Sequence, residues 1–308
     1  MNFRGAHELL DFHVRLTPPC LLNDPFEGLF SHDLKQHLKT IIKPEEIIFV
    51  PKFSQEVREG LDYAFQYMKD DEIDNFINKY GVVSLTTNPN NLLMWAHYAN
   101  EHKGICLLLK DTLFKPDAQK IPTKYGIENY IPKEVKYSDQ RRDDKINGNN
   151  TIELIRNHST KYLFTKSIAW EYEFEYRCII PIEQADKLIC DSELKNIAVR
   201  NALQRECDSG SLFKKEHPTI KGKCIYEGPA LQNIAKMSSH FDDFIFLKQI
   251  DPSDIDSIIF GSRLLGDDLA SICNVVFAPE SKLSHVNLYR YKLNPSLFTL
   301  DLVKVEDI

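Results

Sequence analysis

The segment over residues 171–182 constrains the fold most, because its pattern changes once along its length. Glutamates alternate with aromatic residues in the first half, and the apolar run CIIPI ends it. Alternation of this kind places one set of side chains on each face of a β-strand. We therefore predict a strand that buries its aromatic face in the core. The aromatic face consists of Tyr172, Phe174 and Tyr176, and the opposite face carries Glu171, Glu173, Glu175 and Arg177.

Three carboxylates on one strand face repel one another unless a cation or a polar group balances them. Crowding of this kind raises the pKa of at least one carboxylate, which suits general acid–base chemistry. The alternative is a solvated edge strand on which Arg177 pairs with a glutamate. We favour a site with Glu173 and Glu175 as its catalytic residues, since a strand backed by aromatic side chains belongs inside a sheet.

Strands and helices are intermixed along the rest of the chain. GVVSLT (81–86) and ICLLL (105–109) predict strands, and LLMWAHYANEHK between them predicts a helix. Asn90 or Asn91 is suited to cap that helix and Gly104 to end it. Pro18 and Pro19 keep the segment VRLTPPCLL out of a central sheet position. We predict an α+β fold with one sheet-centred domain over 1–308 and peripheral helices, leaving open a helical insertion over 34–79 and a subdomain over 190–250.

Composition excludes several classes of protein. A hydrophobic fraction of 43% supports a folded core, and a net charge of −7 argues against a general nucleic-acid coat protein. No apolar run approaches the roughly 20 residues of a membrane helix, and the first residues do not resemble a secretory signal. Seven scattered cysteines without a CxxC pair indicate reduced thiols rather than a structural zinc site. We expect a cytoplasmic protein without a membrane partner and without metal ligands.

Two further segments carry residues suited to ligand binding. In NDPFEG (23–28), Asn23 and Asp24 can bond their own backbone as a turn, or Asp24 and Glu27 can project into the same pocket as the glutamates. In MWAHYANEHKG (94–104), His97 and Tyr98 can contact sugar hydroxyls or stack on a planar ring. The alternative for this second segment is a core helix that only packs.

These motifs together resemble a bacterial family still classed by a domain of unknown function. The resemblance rests on NDPFEG, MWAHYANEHKG, Lys166 with WEYEFEYR, and IIFGSRL, and it spans Asn23 to Leu264. Members tend to begin with a strand that contains tyrosine and arginine, for which Phe3 and Arg4 stand here. Because the family resembles a group often encoded near mobile or defence genes, the resemblance implies a toxin or anti-phage effector, together with an antitoxin partner.

The order of residues is also similar to that of ADP-ribosyltransferases, which place an arginine on an early strand, hydroxyls on a middle strand, an aromatic residue, and a glutamate on a late strand. That likeness implies NAD as substrate and a protein or a nucleic acid as acceptor. One carboxylate would stabilise the charged ribose and a second would deprotonate the acceptor. The residues implied to bind NAD are Arg4, Ser84, Thr86, His97, Tyr98, Asn23, Asp24 and Arg177.

Two other functions stay open. In a metal-dependent nuclease or phosphodiesterase, carboxylates would hold Mg²⁺, and Lys166 or Arg177 would steady the phosphate. The carboxylates concerned are Asp24, Glu27, Glu173 and Glu175. The third function is a non-catalytic module that binds a ligand or a protein through an incidental polar pocket.

Overall fold

The structure is a computed structural model, and it describes residues 12–41, 74, 77–115, 129–141, 158–239 and 241–307. Within these residues strands and helices are intermixed, so the predicted α+β fold is confirmed. Arg4 lies outside the described residues, as does most of the predicted helical insertion over 34–79. No helix in the described ranges is long and apolar enough to cross a membrane.

Fourteen strands have bounds within the described residues. They are β1 (His13–Leu16), β2 (Tyr80–Thr86), β3 (Ile105–Leu109), β4 (Asn129–Glu134), β5 (Lys136–Ser138), β6 (Thr165–Ser167), β7 (Glu175–Pro181), β8 (Lys187–Asp191), β9 (Phe213–Glu216), β10 (Lys223–Glu227), β11 (Phe244–Gln249), β12 (Ile255–Phe260), β13 (Asn287–Leu293) and β14 (Leu300–Lys304).

The helices of the described residues are mostly short. The α-helices are α1 (His32–Ile41), α2 (Leu92–Tyr98), α3 (Ile197–Asp208), α4 (Leu231–Ser238) and α5 (Gly266–Val276), and residues 158–163 are also helical. Short 3-10 helices cover Pro19–Leu21, Ile77–Lys79, Ile168–Glu173, Ile182–Gln184, Pro252–Asp254 and Val305–Asp307.

The strands form sheets of five, four, three and two strands in the described part of the chain. The five-stranded sheet has the order β1-β11-β8-β10-β9, and every neighbouring pair in it is antiparallel. The others are β14-β13-β12-β3, β2-β7-β4 and β5-β6. As Pro18 and Pro19 predict, β1 is an edge strand.

Strand β7 lies between two hydrophobic clusters. Cys178 and Ile180 belong to the largest cluster, which also contains side chains of the five-stranded sheet and of α3 and α4. Ile179 points the other way, into a second cluster with Phe30 and Leu34. Most of the predicted subdomain over 190–250 therefore shares its core with β1 and β7, while the division into domains stays a prediction.

The predicted glutamate strand begins at Glu175, four residues later than expected. Residues up to Glu173 form a 3-10 helix that starts where the Ser167 hydroxyl accepts a bond from the Ala169 amide, 3.4 Å away. Phe174 then takes a left-handed conformation with φ 46°. This places Phe174 at the surface with 50% exposure, whereas Glu173 and Glu175 are buried. The prediction of a buried aromatic face was wrong.

Helix α2 begins as predicted and ends early. The Asn91 side chain accepts bonds from the amides of Leu93 and Met94, which confirms the predicted cap. The helix ends at Tyr98 and not at Gly104, because the three residues 100–102 all take left-handed conformations. The predicted strands GVVSLT and ICLLL are present as β2 and β3.

Buried thiols predict a loss of stability in alkali. Burial raises the pKa of Cys178 and Cys190 from an ordinary 9.0 to about 12. The folded chain therefore keeps protons that the unfolded chain releases, so stability present below pH 9.0 falls as the pH rises toward 12. We expect the free energy of unfolding to fall by about 1.4 kcal/mol per pH unit for each thiol. Urea unfolding at several pH values in this range measures the free energy of unfolding. In Cys190→Ala that free energy should fall less steeply with pH than in the wild-type chain, and equal slopes would contradict the role given to Cys190.

Candidate functional site

A buried ion network occupies one side of β7, and Arg177 is its centre. The Arg177 side chain is 1% exposed. Its Nε donates to Glu175 Oε1 at 2.7 Å and its Nη2 to Glu175 Oε2 at 2.8 Å. Its Nη1 donates to the carbonyl of Leu163 at 2.8 Å, and Nη2 also bonds Glu27. All three nitrogens of the guanidinium are therefore engaged, and the side chain fixes β7 to the NDPFEG loop and to the end of the helical segment 158–163.

Lys166 on β6 supplies the second cation of the network. Its Nζ lies 2.7 Å from Glu173 Oε2 and 3.3 Å from Glu175 Oε2, and its side chain is 2% exposed. The ammonium also lies 4.7 Å from the centre of the Trp170 ring. These two buried cations explain why the glutamates turn inward, since a buried charge is tolerated only when it is paired.

The pKa shifts follow from burial and from these neighbours. Burial raises the pKa of Glu175, but the charges of Arg177 and Lys166 lower it by more, so the net shift is downward. Burial of Glu27 outweighs the same two cations, and its pKa is raised. Burial opposes the charge of Lys166, but the neighbouring carboxylates leave its pKa raised. The pKa of Glu27 is therefore shifted in the opposite direction from that of Glu175.

Tyr98 connects the buried network to the surface. Its hydroxyl donates to Glu173 Oε1 and accepts a bond from the Asn23 side-chain amide. The residue is 39% exposed, whereas Glu173 is 3% exposed. Burial and the nearby Glu173 carboxylate raise the pKa of Tyr98, so its hydroxyl keeps its proton. Glu173 is thus bonded to a tyrosine that is itself partly exposed to solvent.

Four side chains around this hydroxyl form a continuous surface, here named the aromatic surface. It consists of His97, Tyr98, Trp170 and Tyr172. The rings of His97 and Tyr98 are 6.3 Å apart between centres, those of His97 and Tyr172 are 6.2 Å apart, and those of Trp170 and Tyr172 are 6.2 Å apart. Rings at such spacing offer faces on which a planar group can stack.

The structure brings together most of the residues that the sequence singled out. Asn23, Tyr98, Glu173, Glu175 and Arg177 are joined by the bonds described above. Two hydroxyls of β2 adjoin them: Ser84 bonds the Glu175 carboxylate, and Thr86 Oγ1 donates to the carbonyl of Glu173 at 2.7 Å.

Asp24 forms the turn that was predicted from the sequence as one of two alternatives, and one further contact was not expected. Asp24 Oδ1 accepts a bond from the Phe26 amide at 2.9 Å, as a turn residue does. Tyr137 was missed: its hydroxyl accepts a bond from the Glu175 amide at 2.9 Å. A tyrosine in the short polar strand β5 gives no sequence signal of this contact.

The metal-dependent alternative lacks a ligand set in the described residues. No group of three or more histidine, cysteine, aspartate or glutamate side chains there is arranged to hold a metal ion. The carboxylates of Glu173 and Glu175 are bonded by Lys166 and Arg177 instead.

A cavity of about 150 Å³ adjoins the network, and Tyr98 is not among its lining residues. We name it the Glu27 cavity. Its walls include Asp24, Phe26, Glu27, Arg141, Tyr162 and Lys166. Glu27 and Lys166 belong both to these walls and to the ion network, so the NDPFEG loop contributes to the network and to the cavity at once.

Gly28 ends that loop at a point where no side chain fits. Its φ is +74°, and a Cβ there would lie 2.5 Å from the backbone nitrogen of Cys20. Gly210 has a similar φ of +76° with nothing within 4 Å of its Cβ position, which makes it a matched control. We expect Gly28→Ala to lower the free energy of unfolding by about 1–3 kcal/mol more than Gly210→Ala. Urea unfolding of both variants tests this, and equal losses would show that only φ matters.

Comparison with known proteins gives one match. Residues 94–178 match the family model described as "Protein of unknown function (DUF2971)". This range contains most of α2, Lys166 and the segment from Trp170 to Arg177, and it supports the resemblance to a family of unknown function without indicating a reaction. No curated protein and no solved structure matches the chain.

Proposed function

We propose that this protein is an NAD-consuming ADP-ribosyltransferase whose site is centred on Glu173 and Tyr98. One observation carries the proposal: the buried Glu173 carboxylate is held between the Lys166 ammonium and the Tyr98 hydroxyl, directly beneath the aromatic surface. A fixed negative charge below a ring-binding surface suits a reaction in which positive charge develops on a sugar.

The reaction breaks the bond between ribose C1′ and the nicotinamide nitrogen, and the electron pair leaves with the nicotinamide. Positive charge then develops at C1′. The Tyr98 hydroxyl donates a hydrogen bond to Glu173, which increases the negative charge on the tyrosine oxygen. That oxygen stabilises the positive charge at C1′. The acceptor attacks C1′ and forms the new bond. Its proton passes to the Tyr98 oxygen while the Tyr98 proton moves to Glu173, so no free tyrosinate is needed.

The remaining residues hold these groups in place. Lys166, 2.7 Å from Glu173 Oε2, fixes the orientation of that carboxylate. Asn23 donates to the Tyr98 oxygen and limits the rotation of the hydroxyl. Both oxygens of Glu175 are bonded to the buried cations. We therefore assign Glu175 a positioning role, in place of the catalytic one expected from the sequence.

Incubation of the full chain with labelled NAD and with protein or nucleic-acid extracts tests the proposal. We expect nicotinamide release and a labelled acceptor, unaffected by EDTA. Tyr98→Phe should reduce release about 100-fold, because it removes the proton path between acceptor and Glu173. Tyr289→Phe, on β13, is the control and should retain full activity. If the wild-type chain releases no nicotinamide with any extract, the proposal fails.

A non-catalytic binding module is the second candidate. It is favoured by one observation, namely that Glu173 and Glu175 are both 3% exposed and both bonded to Lys166. A module of this kind would bind its ligand without consuming NAD.

We further propose that the biological role is that of a toxin or anti-phage effector, with an unidentified acceptor and an inhibitor protein as partners. Expression of wild-type chain and of Tyr98→Phe in cells separates the candidates. Toxicity that depends on the hydroxyl supports the transferase, whereas equal toxicity of both chains supports the binding module.

A further inference from the structure

Three rings of the aromatic surface have faces that a ligand can reach. His97 and Tyr98 are exposed and Tyr172 is partly buried. The His97 ring is inclined by 69° to the Tyr98 ring and by 45° to the Tyr172 ring, so neither pair is stacked face on face. The fourth ring differs, because the Lys166 ammonium lies 4.7 Å from the centre of Trp170 and covers one of its faces. The accessible part of the surface therefore consists of the first three rings.

Hydrogen bonds hold the two elements that carry these rings. They are α2 and the 3-10 helix Ile168–Glu173. The Asn91 side-chain amide donates to the carbonyl of Tyr172, and the Tyr98 hydroxyl donates to the Glu173 carboxylate. Each element is thus bonded to the other at two points. Because the rings are ordered before a ligand arrives, binding costs little conformational entropy.

The charges on these elements indicate the sign of the ligand. The two helices contain Glu171 and Glu173 and no lysine or arginine. Glu171 is exposed to solvent. The bond from the Tyr98 hydroxyl to Glu173 also draws electron density into the tyrosine ring, which strengthens the attraction of its face for a cation. The surface is therefore complementary to positive charge.

The bonding of Glu173 indicates which kind of cation fits. Its Oε1 accepts the bond from Tyr98, and its Oε2 accepts one from Lys166 at 2.7 Å. Glu173 therefore attracts a ligand through its charge and not by accepting a hydrogen bond from it. A quaternary ammonium cation has no N–H to satisfy and binds through ring faces. The headgroup of a choline lipid is less suited, since it adds a phosphate that the two carboxylates repel.

We propose that the aromatic surface is a binding site for a small, free quaternary ammonium cation of the trimethylammonium class. Its methyl groups contact the ring faces of His97, Tyr98 and Tyr172. The site is the one assigned above to NAD, but binding of the cation does not rest on the transferase activity. If the chain also binds NAD, the two ligands compete.

Calorimetric titration of the full chain with choline and with dimethylbutanol tests the proposal. In dimethylbutanol a carbon atom replaces the nitrogen of choline, so the two probes have the same shape and differ in charge. We expect choline to bind about tenfold more tightly or better, because three rings each attract the charge. Equal affinities, or no heat from choline with folded wild-type chain, would overturn the proposal. NAD is absent, so this result is separate from the assay of nicotinamide release.

Phosphocholine tests the assignment to a cation without a phosphate. It presents the same trimethylammonium group beside a negative charge. We expect it to bind more weakly than choline, because the carboxylates of the 3-10 helix repel the phosphate. Phosphocholine affinity equal to or higher than that of choline would contradict a free cation as the ligand and would indicate a phosphorylated or lipid headgroup.

Variants of single rings locate the binding. Tyr172→Ala removes one ring and should lower choline affinity about threefold or more, whereas Tyr172→Phe keeps the ring and should bind as the wild type does. His97→Ala changes an exposed side chain and provides the same test if Tyr172→Ala does not fold. Phe213→Ala is the control, because Phe213 is an aromatic residue on β9 with 65% exposure and should not affect binding. Unchanged choline affinity in folded His97→Ala and Tyr172→Ala chains would overturn the proposed site.

Discussion

Replacing Arg177 with methionine is expected to lower the free energy of unfolding by about 3–5 kcal/mol. The change removes the cation that bonds both Glu175 and Glu27, and it leaves the carbonyl of Leu163 without this donor. The three buried carboxylates Glu27, Glu173 and Glu175 are then left with Lys166 as the one cation that the network retains. Removing one partner of a buried ion pair destabilises the fold by more than the intact pair stabilises it, because the remaining charge stays buried without its partner.

Urea unfolding of wild-type and variant chains measures this loss. Arg205→Met is the matched control, because Arg205 pairs with Glu206 on the surface and its side chain is 74% exposed. An exposed pair contributes little, so the control should change the free energy of unfolding by less than about 1 kcal/mol. Similar losses in the two variants would mean that the network around Arg177 does not carry the stability assigned to it.

Glu173→Gln is expected to reduce nicotinamide release about 100- to 1000-fold. Glutamine keeps the shape of the side chain and one acceptor oxygen, so it retains the bond from either Lys166 or Tyr98 and turns its amide NH2 toward the other. It carries no negative charge to stabilise the ribose and has no carboxylate to take the acceptor proton. The loss should therefore fall on the rate of the chemical step, with NAD binding largely retained.

Glu171→Gln provides the control for this experiment. Glu171 belongs to the same 3-10 helix as Glu173 and is exposed to solvent. We expect it to keep wild-type activity, with the folding of both variants checked by thermal melting. If both glutamine variants lose activity equally, or neither does, Glu173 is not the catalytic carboxylate and the transferase proposal is contradicted.

The sequence predicts well those elements whose cause is local. Asn91 caps α2 because its side chain reaches two amides of the next turn, and this depends only on nearby residues. GVVSLT and ICLLL form strands because short apolar runs with β-branched or leucine side chains are typical of buried sheet positions. The edge position of β1 follows from the prolines that come directly after it.

The sequence fails where distant residues decide the outcome. Alternation from Glu171 to Tyr176 predicts a strand with its aromatic side chains toward the core and its glutamates together on the opposite face. The strand begins only at Glu175, and Glu173 and Glu175 are buried against the cations Lys166 and Arg177. The left-handed Phe174 then turns its ring outward. The partner of Arg177 on the NDPFEG loop lies 150 positions away, so no local pattern indicates it.

The position of β7 between two apolar clusters has a consequence for the effect of salt. Dissolved ions screen the interaction between charges that are exposed to solvent, with a screening length of about 8 Å at physiological ionic strength. Cys178 and Ile180 on one face of the strand and Ile179 on the other exclude solvent from the network around Arg177. Surface pairs such as Lys236 with Glu183 weaken as salt is added. The buried charges are screened much less, so we expect the attraction of Arg177 for Glu175 and Glu27 to change less with added salt than that of a surface pair.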